Sequence, residues 1–388
     1  MINFIYHNPT KIVFGKNQIN QLSTLLKPYE GKNILLVYGK ASIKQLGIYD
    51  EVLTHLKELN IHVYEEAGVR ANPSMESVLS GRRTCVDKQI DFILAVGGGS
   101  VLDAAKAIAF AATIEEDEVW DVFLRKTDAN RAIPLGTILT LAATGSESNG
   151  NTVITNDATD EKRSVAYPFI FPTFSIIDPS YTQSVDHHYV IAGTIDIMMH
   201  VFEQYFSNTE RTETSDFMST GILKSVMQNT ERILNGEDDY ETRANISWAA
   251  TLGLNWLLQQ GKIGDWATHR LSYPITQHYG ITHGYALTTI FIAWMRITLK
   301  HNPDTMTRRL GFLGQELFGS SDPNLTIKLI RERFRSWGAP TSFKEAGIDL
   351  DEHAIDKLVD NALALGHVGT VVSIDKVIAK ELFMKALK

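Results

Sequence analysis

The chain has 388 residues, 44% of them hydrophobic and 21% charged, with a net charge of −8. That length suggests two domains, and that composition excludes disorder over the bulk of the chain. A mildly acidic chain without a dense Lys/Arg run has no electrostatic bias toward nucleic acid or an anionic membrane surface.

The opening MINFIYHNPTK has too short an apolar stretch for a secretory signal and no basic segment before it. The apolar runs 34–37 (ILLV), 92–96 (FILAV), 137–141 (TILTL) and 174–177 (FSII) follow as strand candidates, with helical periods at 48–59 and 75–88. Strands alternating with helices predict a parallel α/β sheet. Cys85, in the second helical period, is the only cysteine. It reads as a small core residue, excludes an intrachain disulfide and fits a reducing, cytoplasmic setting.

The run DFILAV enters Gly97-Gly98-Gly99-Ser100 and then VLDAAKAIAFAAT. A strand, a glycine turn and a helix start can hold a pyrophosphate on backbone N–H groups and the positive helix end. The bland alternative is a tight turn with nothing bound. After ILLV come Gly39, Lys40 and Ser42, where a site selective for NAD usually has a carboxylate. A glycine leaves room for a 2′-phosphate and Lys40 could pair with it; an ordinary surface loop is the other reading. The segment from Thr140 through Thr144 to Asn149 follows a strand and is rich in small hydroxyls and amides. It can bond a ribose or a nicotinamide amide, or only its own backbone.

Asp178-Pro179 reads as a turn, and the strand rhythm stops there. Helical periods follow at 186–206, 214–234, 239–260, 285–299, 303–318, 324–336, 351–364 and 372–386. A domain boundary is therefore expected near 182, with an α/β domain at 1–182 and an all-helical domain at 183–388. A ligand cleft is expected between them. The uncharged stretch 244–261 carries several Asn, Ser, Thr and Gln, so it reads as a buried helix and not a membrane span.

Asp196 and His200 lie at i, i+4 in the segment AGTIDIMMHVFEQYF, on one face and one turn apart. His269 and His283-Gly284 flank a helix-breaking stretch from Tyr273-Pro274 to Gly280. Three imidazoles and a carboxylate can share a divalent cation. An i, i+4 hydrogen-bonded pair is the alternative for Asp196 and His200. His187 and His188 read as a solvated helix start, and His278 as a non-ligand. No G-x-S-x-G elbow occurs, which disfavours a Ser–His–Asp hydrolase.

Taken together, GGGSVLDAAK, TLAATGSESN, DIMMH and the pair His269/His283-Gly284 resemble the iron-containing alcohol dehydrogenase family, in its branch of butanol dehydrogenases and NADPH-dependent aldehyde reductases. The similarity spans the whole chain. It implies a dehydroquinate-synthase-like fold: an α/β dinucleotide-binding domain followed by an all-α metal-binding domain. It implies Asp196, His200, His269 and His283 as ligands of one divalent metal, Fe(II) or Zn(II). It further implies Gly97, Gly98, Gly99, Ser100 and Asp103 at the pyrophosphate, and Thr140, Thr144, Asn149, Lys162 and Tyr181 at ribose or nicotinamide. Gly39 resembles members that favour NADP(H) over NAD(H).

The implied reaction moves a hydride between NAD(P)H and a small aldehyde or primary alcohol such as butanal or butanol. A homodimer without nucleic-acid or membrane partners is also implied. Many members carry a second histidine four residues after the third ligand; here Tyr273 stands there, a candidate proton donor in its place. Two alternatives share these parts. A non-redox lyase of the dehydroquinate-synthase type needs several basic residues for an acidic substrate, and the ligand segments offer only Arg270. A non-catalytic dinucleotide-binding protein would have no use for four intact ligands.

Overall fold

The computed structural model describes all residues 1–388. The chain forms two compact units, one of His7–Val185 with Asp239–Thr251, the other of Met1–Tyr6 with Asp186–Asp238 and Leu252–Lys388. The single cut expected at 182 differs from this in two details: a piece of the helical half packs with the N-terminal unit, and the first six residues with the helical one. Helical period shows where a helix forms but not which neighbour buries its apolar face.

The first unit is built on a parallel sheet of β1 (Lys11–Phe14), β2 (Asn33–Tyr38), β3 (His62–Glu66), β4 (Phe92–Gly97), β5 (Leu135–Leu139) and β8 (Phe174–Ile177), in the order β1-β8-β5-β4-β2-β3. The hairpin β6 (Asn151–Asn156) and β7 (Glu161–Ala166) stands apart as a second sheet. Alternate residues of the central strands feed two cores. Leu35, Val37, Ile93 and Ala95 face the helices Met75–Asp87 and Gly99–Ala111, while Ile34, Leu36, Leu94 and Val96 face the helix Ile48–Glu58. Burial on both faces explains why these strands read as continuous apolar runs.

The sheet order also locates a crevice. From β2 the chain moves outward to β3, and from β4 it moves the other way to β5. β2 and β4 are neighbours, so the connections diverge between them, at a topological switch point. Ligands of open α/β sheets bind outside the carboxyl ends of strands at such a point. Gly39 follows β2 there and Gly97 ends β4.

The second unit is helical: His187–Tyr205, Glu213–Leu234, Ala267–Tyr279, His283–His301, Pro303–Phe318, Pro323–Ser336, Glu352–Ala362 and Lys376–Ala386. Every residue of the first of these from Val190 to Tyr205 is buried, as expected of a helix apolar on most of its circumference. Asp186 caps it by accepting from the His188 N–H, a bond type that contributes about 1 kcal/mol. No helix is long and apolar enough to cross a membrane.

Two expectations are corrected. The helix expected over 239–260 runs only from Tyr240 to Gly253. An irregular segment follows, with Trp256 and Trp266 in the left-handed backbone region at φ 70° and 62°. The stretch around Tyr273-Pro274 does not break its helix, which continues to Tyr279 with Pro274 inside and Gly280 at φ 63° beyond its end. A proline removes only its own N–H and crowds one earlier carbonyl, and a buried apolar face such as Leu271, Pro274 and Ile275 can offset that cost.

Candidate functional site

Three elements of the helical unit bring four side chains together. Asp196 and His200 come from the helix His187–Tyr205, His269 from Ala267–Tyr279, and His283 from the first turn of His283–His301. The Nε2 atoms of His200, His269 and His283 lie 3.8, 3.8 and 3.7 Å from the same oxygen, Asp196 Oδ1. Ligand atoms of Asp196, His200 and His269 all lie within 4.8 Å of one another. Gly284 makes this convergence possible: a Cβ there would stand 2.1 Å from the Ala192 carbonyl oxygen, so only glycine lets the start of the His283 helix come this close.

These separations are too long for hydrogen bonds. They come within a few tenths of an ångström of the edge, about 3.4 Å, of a tetrahedron with ligands about 2.1 Å from its centre. Asp196 Oδ1 and His269 Nε2 are buried without a hydrogen-bond partner. An uncompensated buried carboxylate oxygen costs several kcal/mol, a cost that a cation among the four groups removes.

The electrostatics agree with that occupancy. Burial works against the Asp196 carboxylate, but the imidazoles of His200, His283 and His269 outweigh it and hold its pKa below the usual carboxylate range. Burial pushes His200 down to about 4, leaving a neutral imidazole with a free lone pair at neutral pH. At His269 burial also disfavours the charged form, yet the Asp196 and Glu203 carboxylates outweigh it and raise it to about 9, so they favour positive charge at this ring, and a cation bound at Nε2 would take the place of that nitrogen's proton. Trp266 lies against the cluster, its ring 5.5 Å from His269 and 6.4 Å from His200.

Glu203 is not among the residues that ligand spacing singles out. Its Oε1 accepts from the His269 backbone N–H at 2.9 Å, from Nδ1 at 3.0 Å, and from the Thr268 hydroxyl. The signal was present, since Asp196, His200 and Glu203 follow one another at i, i+4 and i+7 on one helix face. Tyr273, half-buried, lies one turn beyond His269 with its ring 6.4 Å from that of His283. His278 is exposed. His187 and His188 are exposed at the start of their helix, where His188 bonds the Thr282 hydroxyl at 3.1 Å. Cys85 is a core residue, its thiol pushed up to about 12 chiefly by burial.

In the first unit, the segments after β2, β4 and β5 meet at the switch point. A Cβ at Gly39 would lie 3.7 Å from Val101, Thr140 N–H bonds the Gly97 carbonyl at 3.0 Å, and a Cβ at Gly99 would stand 2.4 Å from Thr144 Oγ1. Gly98 and Ser100 complete the turn into the helix, and Lys40 and Ser42 are exposed beside Gly39. Asp103 and Asn149 point their polar groups inward. Asp103 accepts from Ser146 Oγ and Val153 N, and Asn149 Oδ1 accepts from Asn151 N and from the buried Lys106 ammonium. Lys106 also donates to Ser146 Oγ and the Asn151 carbonyl, tying the loop after β5 to the glycine-turn helix. Lys162, on β7, donates to Asn72 Oδ1 at 2.8 Å. Tyr181, just beyond β8, is held above the usual phenol range by burial, with Glu51 and Asp178 adding to it.

The chain thus combines a parallel α/β unit with a helical unit that carries a buried carboxylate–imidazole cluster. Residues 9–179 match the family model "Iron-containing alcohol dehydrogenase", and residues 190–387 match "Fe-containing alcohol dehydrogenase family, C-terminal". The chain is 41% identical to the probable NADH-dependent butanol dehydrogenase 1 of Bacillus subtilis over 97% of each chain. It is 33% identical to the NADPH-dependent aldehyde reductase YqhD of Escherichia coli, over 93% of this chain and 96% of that one. The crystal structure of NADH-dependent butanol dehydrogenase A from Thermotoga maritima superposes with a TM-score of 0.93 at 36% identity, covering 100% of this chain and 99% of that one. The chain belongs to the iron-containing alcohol dehydrogenase family and is an NAD(P)-dependent alcohol dehydrogenase.

Proposed function

We propose that this enzyme reduces small aldehydes such as butanal to primary alcohols, favouring NADPH, with Fe(II) or Zn(II) held by Asp196, His200, His269 and His283. The observation that carries this reading is the convergence of three imidazole nitrogens on one buried, partnerless oxygen of Asp196. When bound, the metal supplies Lewis acidity toward the substrate oxygen, and the nicotinamide supplies the hydride. The donor set contributes one negative charge, so with a divalent ion the site stays net positive toward an oxygen gaining negative charge. Trp266 keeps water from one side of the two imidazoles it covers. Tyr273 gives the product oxygen its proton. Gly97, Gly98, Gly99 and Ser100 hold the pyrophosphate, while Thr140, Thr144, Lys162 and Tyr181 contact ribose or nicotinamide. Asp103 and Asn149 serve the cofactor by fixing the loops that touch it.

The enzyme is proposed to work in the cytoplasm as a homodimer. The lone buried Cys85 and the family resemblance, respectively, support those two statements.

The names of the relatives divide between NADH and NADPH, so the cofactor preference rests on local chemistry. Gly39 and Lys40 leave the end of β2 without a carboxylate. Those at the end of β3 are engaged: Glu65 by the Tyr38 and Tyr49 hydroxyls, Glu66 by Ser77 and Ser80. A Cβ at Gly39 meets only ordinary contacts, at 3.5 and 3.7 Å, so Gly39→Asp is sterically tolerated. That variant should move the NADPH/NADH ratio of kcat/KM toward NADH by about 10- to 100-fold, the size of a charged hydrogen bond gained to the ribose. Steady-state rates with butanal measure it. A wild-type enzyme that prefers NADH would overturn the NADPH assignment.

A further inference from the structure

We infer that Glu203 is a positioning residue that sets metal affinity through His269, an inference that rests on the metal-site reading above. The two nitrogens of an imidazole have distinct roles. A neutral imidazole that binds a metal through one nitrogen carries its proton on the other, and a neighbour decides which. At His269, Nδ1 lies 3.0 Å from Glu203 Oε1. An ionised carboxylate oxygen only accepts, so the proton belongs on Nδ1 and the lone pair on Nε2. That Nε2 is the atom 3.8 Å from Asp196 Oδ1, buried and without a partner of its own.

Position is held as well as tautomer. The same Glu203 oxygen accepts the His269 backbone N–H at 2.9 Å and the Thr268 hydroxyl, so it grips the ligand residue at main chain and ring together. Glu203 is itself fixed, because its own carbonyl accepts the Asp265 N–H at 2.8 Å. The Asp265 carboxylate in turn takes the N–H groups of Ala267, Thr370 and Val371. The start of the helix that carries His269 is therefore clamped from both sides. Glu203 also stands one turn after His200, so a single helix supplies two ligands and the group that orients a third. At His200, by contrast, the second ring nitrogen, Nδ1, is buried without a hydrogen-bond partner.

Competition of the full-length protein with a chelating dye for Zn2+, together with the absorption spectrum of the Co2+-loaded protein, tests this. Glu203→Gln keeps the shape and an acceptor oxygen but loses the charge. Its Zn2+ affinity should fall about 10-fold, and that of Glu203→Ala about 100-fold, the range found for groups that orient metal ligands. The Co2+ bands should shift in both variants, which a merely structural role would not produce. Wild-type affinity and wild-type Co2+ spectra in both would overturn the inference, and Glu203→Gln decides if Glu203→Ala does not fold. Asp196→Ala separates the two levels. If it retains wild-type affinity, the metal site itself is misassigned; if it loses the metal while both Glu203 variants match wild type, only the role of Glu203 falls.

Discussion

Replacing His283 by alanine should cost aldehyde reduction about a thousandfold or more, because a metal's Lewis acidity is worth several kcal/mol and each 1.4 kcal/mol is about tenfold. Of the four groups His283 is the most exposed, its side chain at 25% against 7% for His200 and His269 and 5% for Asp196. Its removal leaves a notch open to solvent and no sealed cavity, so the cost in stability should be small beside the cost in activity. The three remaining groups leave one corner of the site empty, and metal content after dialysis should fall with turnover. Dinucleotide binding should persist, since the glycine turn at Gly97–Ser100 belongs to the other unit. Metal analysis, NADPH fluorescence titration and kcat/KM on the purified variant check the three statements. A variant with full metal content and full turnover would remove His283 from the ligand set.

The second large effect concerns the proton. A phenol has an ordinary pKa near 10 and an imidazole near 6.5, so tyrosine keeps a donatable proton across neutral pH. Tyr273 lies one turn from His269 and its ring is 6.4 Å from that of His283, at the edge of the carboxylate–imidazole cluster. Tyr273→Phe should lower kcat for aldehyde reduction by up to about 100-fold, the lower end of general-acid effects. The rate with deuterated cofactor shows whether hydride transfer limits turnover. An unchanged kcat under rate-limiting hydride transfer assigns Tyr273 to packing, with water or a ribose hydroxyl as the donor.

How far the sequence carries these conclusions differs by element. The strands β2, β4, β5 and β8 are legible because burial on both faces makes them continuous apolar runs. The edge strand β3, HVYEE, is partly exposed and ends in two carboxylates, so no apolar run marks it. The hairpin β6–β7 turns through Asp-Ala-Thr-Asp, without the Asn-Gly or Asp-Gly signal of a tight hairpin. The pairing of Asp196 with His200 is local and could be read from helical spacing. Their meeting with His269 and His283 is tertiary, and it depends on Gly284 admitting one helix start against the Ala192 carbonyl. Glu203 was legible in principle, but acids at i+7 from another acid are common and only the contact with His269 distinguishes this one. Lys106 lies three residues after Asp103, where spacing gives no hint that its ammonium turns inward to Ser146 and Asn149.

The central claim is that the carboxylate–imidazole cluster holds the ion on which reduction depends. Aldehyde-dependent oxidation of NADPH by the chelator-treated enzyme, before and after stoichiometric addition of Fe(II), Zn(II) or Mn(II), tests it most directly. Activity should disappear with the metal and return with at least one of the three ions, while the Asp196→Ala variant should stay inactive throughout. Full turnover by protein shown to be free of metal would contradict the account.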